Sequence, residues 1–114
     1  MAMEKVLNID GYEINFRASG ATPRIYRKMF RKDIFAGIQK LTKGAASGDV
    51  SDESLECLEC IAYVMAYQAD PDIPDIDTWL DQFSMFAIYK HLPEIIDLWN
   101  INEEQIETAK KKLG

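Results

Sequence analysis

Cys57-Leu58-Glu59-Cys60-Ile61-Ala62-Tyr63-Val64-Met65-Ala66-Tyr67-Gln68-Ala69 is apolar on nearly every side when wound as a helix. A helix with that pattern is buried rather than half-solvated. Upstream, Ser51 is a capping residue, and Asp52 and Glu53 suit the positive end of a helix. Leu55, Leu58, Ile61, Ala62 and Met65 recur at helical period. The expected structure is a core helix beginning at Ser51, with the rest of the chain arranged around it.

Downstream, Asp70-Pro71-Asp72-Ile73-Pro74-Asp75-Ile76-Asp77 ends that helix in a rigid acidic loop. Asp75 or Asp77 then caps a helix carrying Trp79, Leu80, Phe83, Met85 and Phe86, with Ile88 and Tyr89 continuing it. Pro93 opens a short helix with Ile95, Ile96, Leu98 and Trp99. Asn102 caps a last one, whose glutamates lie early and whose Lys110, Lys111 and Lys112 lie late, as the helix dipole favours. Its anchors, Ile106, Ala109 and Leu113, are few, so this end is expected to fray.

Upstream of the core helix, residues 42–50 are small and polar and read as a loop. Thr22 is the expected N-cap of a helix with Pro23 in its first position. Ile25, Tyr26, Met29 and Phe30 form its apolar stripe. Arg24, Arg27, Lys28, Arg31 and Lys32 fill the remainder. Asp33 caps a second helix through Leu41, with Ile34, Phe35, Ile38 and Leu41 inward. At the N-terminus, Val6, Leu7 and Ile9 precede Asp10-Gly11, and Tyr12, Ile14 and Phe16 follow. Asp-Gly between apolar alternations is a strong hairpin signal, because both turn residues need positive φ. Tyr12, Ile14 and Phe16 share the face expected to be buried, and Glu13, Asn15 and Arg17 the wet one. The fold class is therefore mainly α: a single small helical domain over residues 1–114, of about five helices, with an N-terminal β-hairpin.

The 114 residues carry a net charge of −6. Residues 1–48 hold nine Lys/Arg against four Asp/Glu, and residues 49–114 hold four against fifteen, so the halves balance at +5 and −11. Such a division either neutralises within one domain or presents two faces to different partners. Self-association into homo-oligomers, head to tail, is expected from it. No apolar run approaches the ~20 residues of a membrane span. Met1-Ala2-Met3-Glu4-Lys5 lacks the pattern of a signal peptide, which gives a cytoplasmic expectation.

Few residues carry chemistry. Cys57-Leu58-Glu59-Cys60 is a CxxC, but it starts well inside the helix, away from the N-terminus where the dipole activates a thiol. A zinc site would need a second ligand pair, and His91 is the only histidine. The core role is favoured for both cysteines. Asp70, Asp72, Asp75 and Asp77 lack the glycine and distal glutamate of a calcium loop. No nucleophile elbow, zinc-protease motif or phosphate-binding loop is present. The chain is not expected to be an enzyme, and no cofactor or metal is implied. The basic helix Arg24–Lys32 is the one argument for a small nucleic-acid-associated regulator. The acidic balance and the missing recognition motif disfavour it.

Tyr12-Glu13-Ile14-Asn15-Phe16-Arg17-Ala18-Ser19-Gly20-Ala21-Thr22-Pro23-Arg24-Ile25-Tyr26-Arg27 resembles the opening of the tail assembly chaperones of siphophages and prophages. Asp33-Ile34-Phe35, Ala62-Tyr63-Val64-Met65-Ala66, Asp77-Thr78-Trp79-Leu80-Asp81-Gln82-Phe83 and Leu98-Trp99 are similar to later parts of that family. The similarity spans residues 5–100. It implies a non-enzymatic protein that binds the tape measure protein and recruits major tail tube subunits to it. It also implies residence in the host cytoplasm, absence from the mature virion and a longer frameshifted form in many members. Slippage would fall on codons for Lys110-Lys111-Lys112, although three lysines at a helix C-terminus are also ordinary dipole partners. An apolar helical client needs an amphipathic groove, which adaptable methionines and aromatic residues supply. The candidate protein-binding residues are Arg24, Arg27, Lys28, Arg31, Trp79, Phe83 and Trp99, within a wider surplus that includes Met29, Phe30, Phe35, Met85, Phe86 and Tyr89. For any one of these apolar residues the core is the alternative place.

Overall fold

The computed structural model describes residues 3–33, 35–37, 39–40, 43, 48, 52–91, 93–95 and 97–98. The hairpin forms as expected. Strand β1 (Met3–Ile9) pairs antiparallel with β2 (Tyr12–Ala18), with Ile9 opposite Tyr12 and Met3 opposite Ala18. Asp10 and Gly11 both have positive φ, 55° and 88°. The Gly11 N–H donates to Asn8 Oδ1 at 2.9 Å and braces the turn.

The burial of the hairpin is graded rather than uniform. Leu7, Ile9, Phe16 and Ala18 are buried, Ile14 is half-buried, and Tyr12 at the tip is exposed. Val6 points to the opposite, wet face and is 58% exposed. The pleat puts alternate residues on opposite faces, so Val6 cannot share the inner face with Leu7's register partners.

Helix α1 (Thr22–Phe30) begins one residue earlier than the capping pattern implies. Ala21 is the N-cap, without a side-chain cap bond, and Thr22 is already helical. The Thr22 hydroxyl is spent elsewhere. It accepts from the Ser19 N–H at 2.9 Å and donates to Gln68 Oε1, while Gln68 Nε2 donates to Ser19 Oγ at 2.8 Å. This small network fastens the β2–α1 loop to the far end of the core helix. The helix stops at Arg31, which has φ 55° and returns its N–H to the Arg27 carbonyl at 2.8 Å. Asp33 then accepts from the Phe35 N–H at 2.9 Å, and residues 35–37 and 39–40 are helical, as the Asp33 cap led one to expect; Lys43 is helical as well, inside the stretch expected to be a loop.

Helix α2 (Asp52–Ala69) is the expected core helix. Every residue from Cys60 to Ala66 is buried. It packs against the inner face of the hairpin, chiefly β2, and against α1 and the later helices. Burial on all sides explains why its sequence carries no polar stripe. Helix α3 (Ile76–Asp81) is capped by Asp75, not Asp77: Asp75 accepts from the Thr78 hydroxyl at 2.7 Å and from the Thr78 N–H at 3.4 Å. These bonds hold the Asp75 carboxyl below its ordinary range.

One expectation fails here. The apolar run from Trp79 to Tyr89 is not one helix. It divides into α3 and α4 (Ala87–Lys90), with a turn between. The Ser84 N–H donates to the Asp10 carboxylate at the hairpin tip, a long-range bond no local pattern contains. Residues 93–95 and 97–98 are helical. The stripe residues Ile34, Ile38 and Leu41, the cap Ser51, most of the 42–50 loop, Leu92, Ile96, Trp99 and the last helix over 102–114 lie outside the described residues.

Candidate functional site

The expected binding residues divide into two sets. Arg24, Arg27 and Lys28 are spaced i, i+3 and i+4 on one exposed side of α1, and Arg31, the left-handed C-cap residue, follows just past its end. The opposite side buries Tyr26 and tucks Ile25 and Phe30 against the core. Among the described residues none of the four cations has an ion pair. Lys32 differs: its ammonium meets Glu56 at 3.0 Å, which raises its pKa. Beside the stripe is an open groove of about 600 Å³ lined by Pro23, Arg27, Arg31, Lys32, Asp33 and Phe35.

The aromatic set is corrected by the structure. Trp79 is 1% exposed and Phe83 is 8% exposed. Trp79 meets the rings of Tyr63 and Phe83 edge-on at 5.6 and 5.1 Å, and Phe83 in turn meets Tyr12 at 5.9 Å. Neither ring stands in solvent: Trp79 joins α3 to α2 through Tyr63, and Phe83, just past α3, meets the hairpin tip through Tyr12. Edge-to-face rings satisfy each other's quadrupoles, which is a core arrangement. Trp99 lies outside the described residues.

Their neighbours in the following turn take the exposed role instead. Met85 is 82% exposed and Phe86 is 61% exposed. Met85 lies on a cleft of about 280 Å³ with Leu80, Phe83, Ile88 and Tyr89, rimmed by Glu59, Asp77 and Asp81. Asp77 and Asp81 are four apart on α3 and share a side. Tyr89 donates its hydroxyl to Glu59, and this bond with burial pushes the phenol up to about 12. The sequence offered no means of separating Met85 and Phe86 from Trp79 and Phe83, since all four fit one helical stripe. The break at Ser84 turns the later pair outward.

The remaining reactive groups are closed in. Cys57 and Cys60 are free thiols and both are buried. The Tyr26 hydroxyl donates to Cys57 Sγ at 3.8 Å, and burial raises both thiol pKa values, that of Cys60 to about 12. Such thiols are poor nucleophiles and poor metal ligands at neutral pH. Among the described residues no three His, Cys, Asp or Glu side chains converge as metal ligands, and no helix is long and apolar enough to cross a membrane. His91 sets Nδ1 3.5 Å from Glu94 Oε2 along one turn of helix. What the geometry offers is therefore two contact surfaces of opposite charge, one of them with exposed apolar groups.

No protein-family model, curated protein or solved structure matches the chain.

Proposed function

We propose that the chain is a non-enzymatic phage tail assembly chaperone that binds the tape measure protein and recruits tail tube subunits to it, in the host cytoplasm and outside the mature virion. The observation that carries this reading is the Met85–Phe86 pair, two consecutive large apolar side chains that stand in solvent, Met85 on a cleft with an apolar floor and an acidic rim. A flexible thioether and an exposed ring suit a long apolar client whose local sequence varies along its length. The resemblance over residues 5–100 supplies the identity of that client. Burial of the two thiols agrees with a binding role rather than a catalytic one.

The test is co-expression with the tape measure protein encoded beside this gene. The wild-type chain keeps that protein soluble and co-purifies with it. Met85→Asp with Phe86→Asp loses the complex while the chain itself stays folded. A tape measure protein that remains insoluble and unbound beside the wild-type chain overturns the proposal.

A second reading is favoured by one observation, the cations Arg24, Arg27, Lys28 and Arg31 along α1 and at its C-cap, none of which has an ion pair among the described residues. In it the chain is a nucleic-acid-associated regulator that lays Arg24, Arg27, Lys28 and Arg31 on phosphates. Four phosphate contacts would give a salt slope of about −3.6 in log–log form on duplex DNA. Titration of labelled duplex against salt separates the two readings: the chaperone reading expects no such slope.

A further inference from the structure

We infer that the outer edge of β1 takes an extended segment of a partner protein as a third, antiparallel strand, one that presents a β-branched residue to Val6, an acid to Lys5 and a base to Glu4. The register of the hairpin decides which backbone groups are free for it. The two-residue turn closes on the hydrogen-bonded pair Ile9 and Tyr12, and alternation then turns the backbone groups of Leu7, Lys5 and Met3 toward β2. Those of Glu4, Val6 and Asn8 point away from it. Among the described residues the sheet has two strands, and no other backbone group bonds the N–H or C=O of these three. Nothing in β1 blunts this edge: it pairs over all seven residues without a bulge and holds no proline. Beside it, a groove of about 340 Å³ runs past Glu4, Lys5 and Val6 to Ala69, the last residue of α2, which packs chiefly under β2.

The side chains state what the added strand must carry. Val6 is 58% exposed on the outer face, where a β-branched neighbour on the next strand would cover it. Glu4 shares that face and calls for a base. Lys5 and Leu7 lie on the inner face and call for an acid and an apolar residue. Main-chain bonds then give affinity, and the alternating side chains give specificity. The β1 of a second copy does not meet these demands. When two such edges pair antiparallel, outward-bonding residues meet only each other, so Glu4 meets Glu4, Val6 or Asn8. Lys5 then meets Met3, Lys5, Leu7 or Ile9. Glu4 and Lys5 never meet, because they lie on opposite faces of the strand. Charge complementarity therefore selects a different protein. The edge is separate from Met85 and Phe86, and the inference stands whether or not the client is a tape measure protein.

The test titrates the full chain with the synthetic peptide acetyl-Thr-Val-Ile-Glu-Lys-Thr-amide, whose isoleucine is set against Val6, and follows backbone amides by NMR and hydrogen exchange. The Glu4, Val6 and Asn8 amides gain protection on binding, while that of Leu7, already bonded to β2, does not change. N-methylation of the peptide's isoleucine, whose N–H faces β1, weakens binding by about tenfold, the loss of one hydrogen bond. N-methylation of its glutamate, whose N–H faces away, leaves the affinity within about twofold, since no hydrogen bond is lost. On the protein, Val6→Pro removes an outward donor and no bond to β2, and it weakens binding as the first methylation does. Val6→Thr keeps the edge and keeps the binding. Because both methylated peptides meet the unaltered chain, a Val6→Pro protein that fails to fold does not remove the test. Three outward amides that gain no protection overturn the inference, as do two methylated peptides that bind alike. Outward amides already protected in the free chain overturn it too, because the edge is then occupied by another segment or another copy.

Discussion

The Asp10 carboxylate accepts a hydrogen bond from the Ser84 N–H at 2.5 Å, joining the tip of the hairpin to the turn between α3 and α4 across 74 residues of sequence. That one bond fixes where the second half of the chain breaks its helix. It also sets Met85 and Phe86 outside the core while the adjoining Phe83 packs against Tyr12.

The bond makes the turn sensitive to acid. The Ser84 hydrogen bonds hold the Asp10 carboxyl below its ordinary 3.8. A depressed carboxyl stabilises the fold above its ordinary value and loses that contribution as pH falls through the folded value. Protection of the Ser84 amide, its exchange rate relative to that of the unfolded chain at the same pH, should therefore be high at neutral pH and be lost as pH falls below 3.8 through the lowered folded value. Asp10→Asn keeps an acceptor and the positive φ but removes the titration, so its Ser84 amide should show no acid step. A Ser84 amide whose exchange follows the same pH profile in both proteins would falsify the docking.

Trp79 and Met85 should behave as opposites. Trp79→Ala empties a fully enclosed site between Tyr63 and Phe83 and should cost about 3–5 kcal/mol in urea unfolding. Met85→Ala alters a side chain standing in solvent and should change stability by no more than about 0.5 kcal/mol. Its effect should appear in binding instead. Equal stability losses for the two would mean that the turn at Ser84 does not exist in solution.

The Thr22 hydroxyl is buried and serves both Ser19 and Gln68. Thr22→Val keeps the shape and strands both partners, at a cost of about 1–3 kcal/mol. Because the three groups act together, Thr22→Val and Gln68→Met combined should cost less than the sum of the two alone. Additive losses in chemical denaturation would show that the three side chains are not one network.

The thiols give a prediction at the alkaline end. Burial, with Glu56 and Cys57 nearby, raises Cys60 from 9.0 to about 12, and burial raises Cys57 as well. The unfolded chain loses these protons first, so the stabilisation is complete below about pH 9 and declines as pH climbs toward 12. Cys57→Ala with Cys60→Ala should flatten that part of the stability–pH curve. At pH 8 the native thiols should resist iodoacetamide until denaturant is added, and dithiothreitol should leave the thermal midpoint unchanged. Rapid alkylation of the folded chain would contradict their enclosure.

The sequence by itself determined the features that depend on near neighbours. Asp10-Gly11 dictated the hairpin turn because few residues tolerate positive φ there. The unbroken apolar run from Cys60 to Ala66 dictated a helix buried on all sides, and Pro71 and Pro74 dictated where it ends. The spacing of Arg24, Arg27 and Lys28 dictated a single cationic side, whereas the left-handed turn at Arg31 ended it. Tertiary structure alone decided the rest. Trp79, Phe83, Met85 and Phe86 satisfy one helical pattern equally well, and periodicity cannot say which of them meets a partner ring and which meets water. Thr22 looks like a cap because its local chemistry allows one, yet Gln68, from another helix, competes for its hydroxyl. Ser84 has no local signal of a break, since the acceptor that takes its N–H is Asp10, on the hairpin. Local pattern encodes which groups need a partner; only the folded chain, by bringing distant residues within bonding distance, chooses among the partners available.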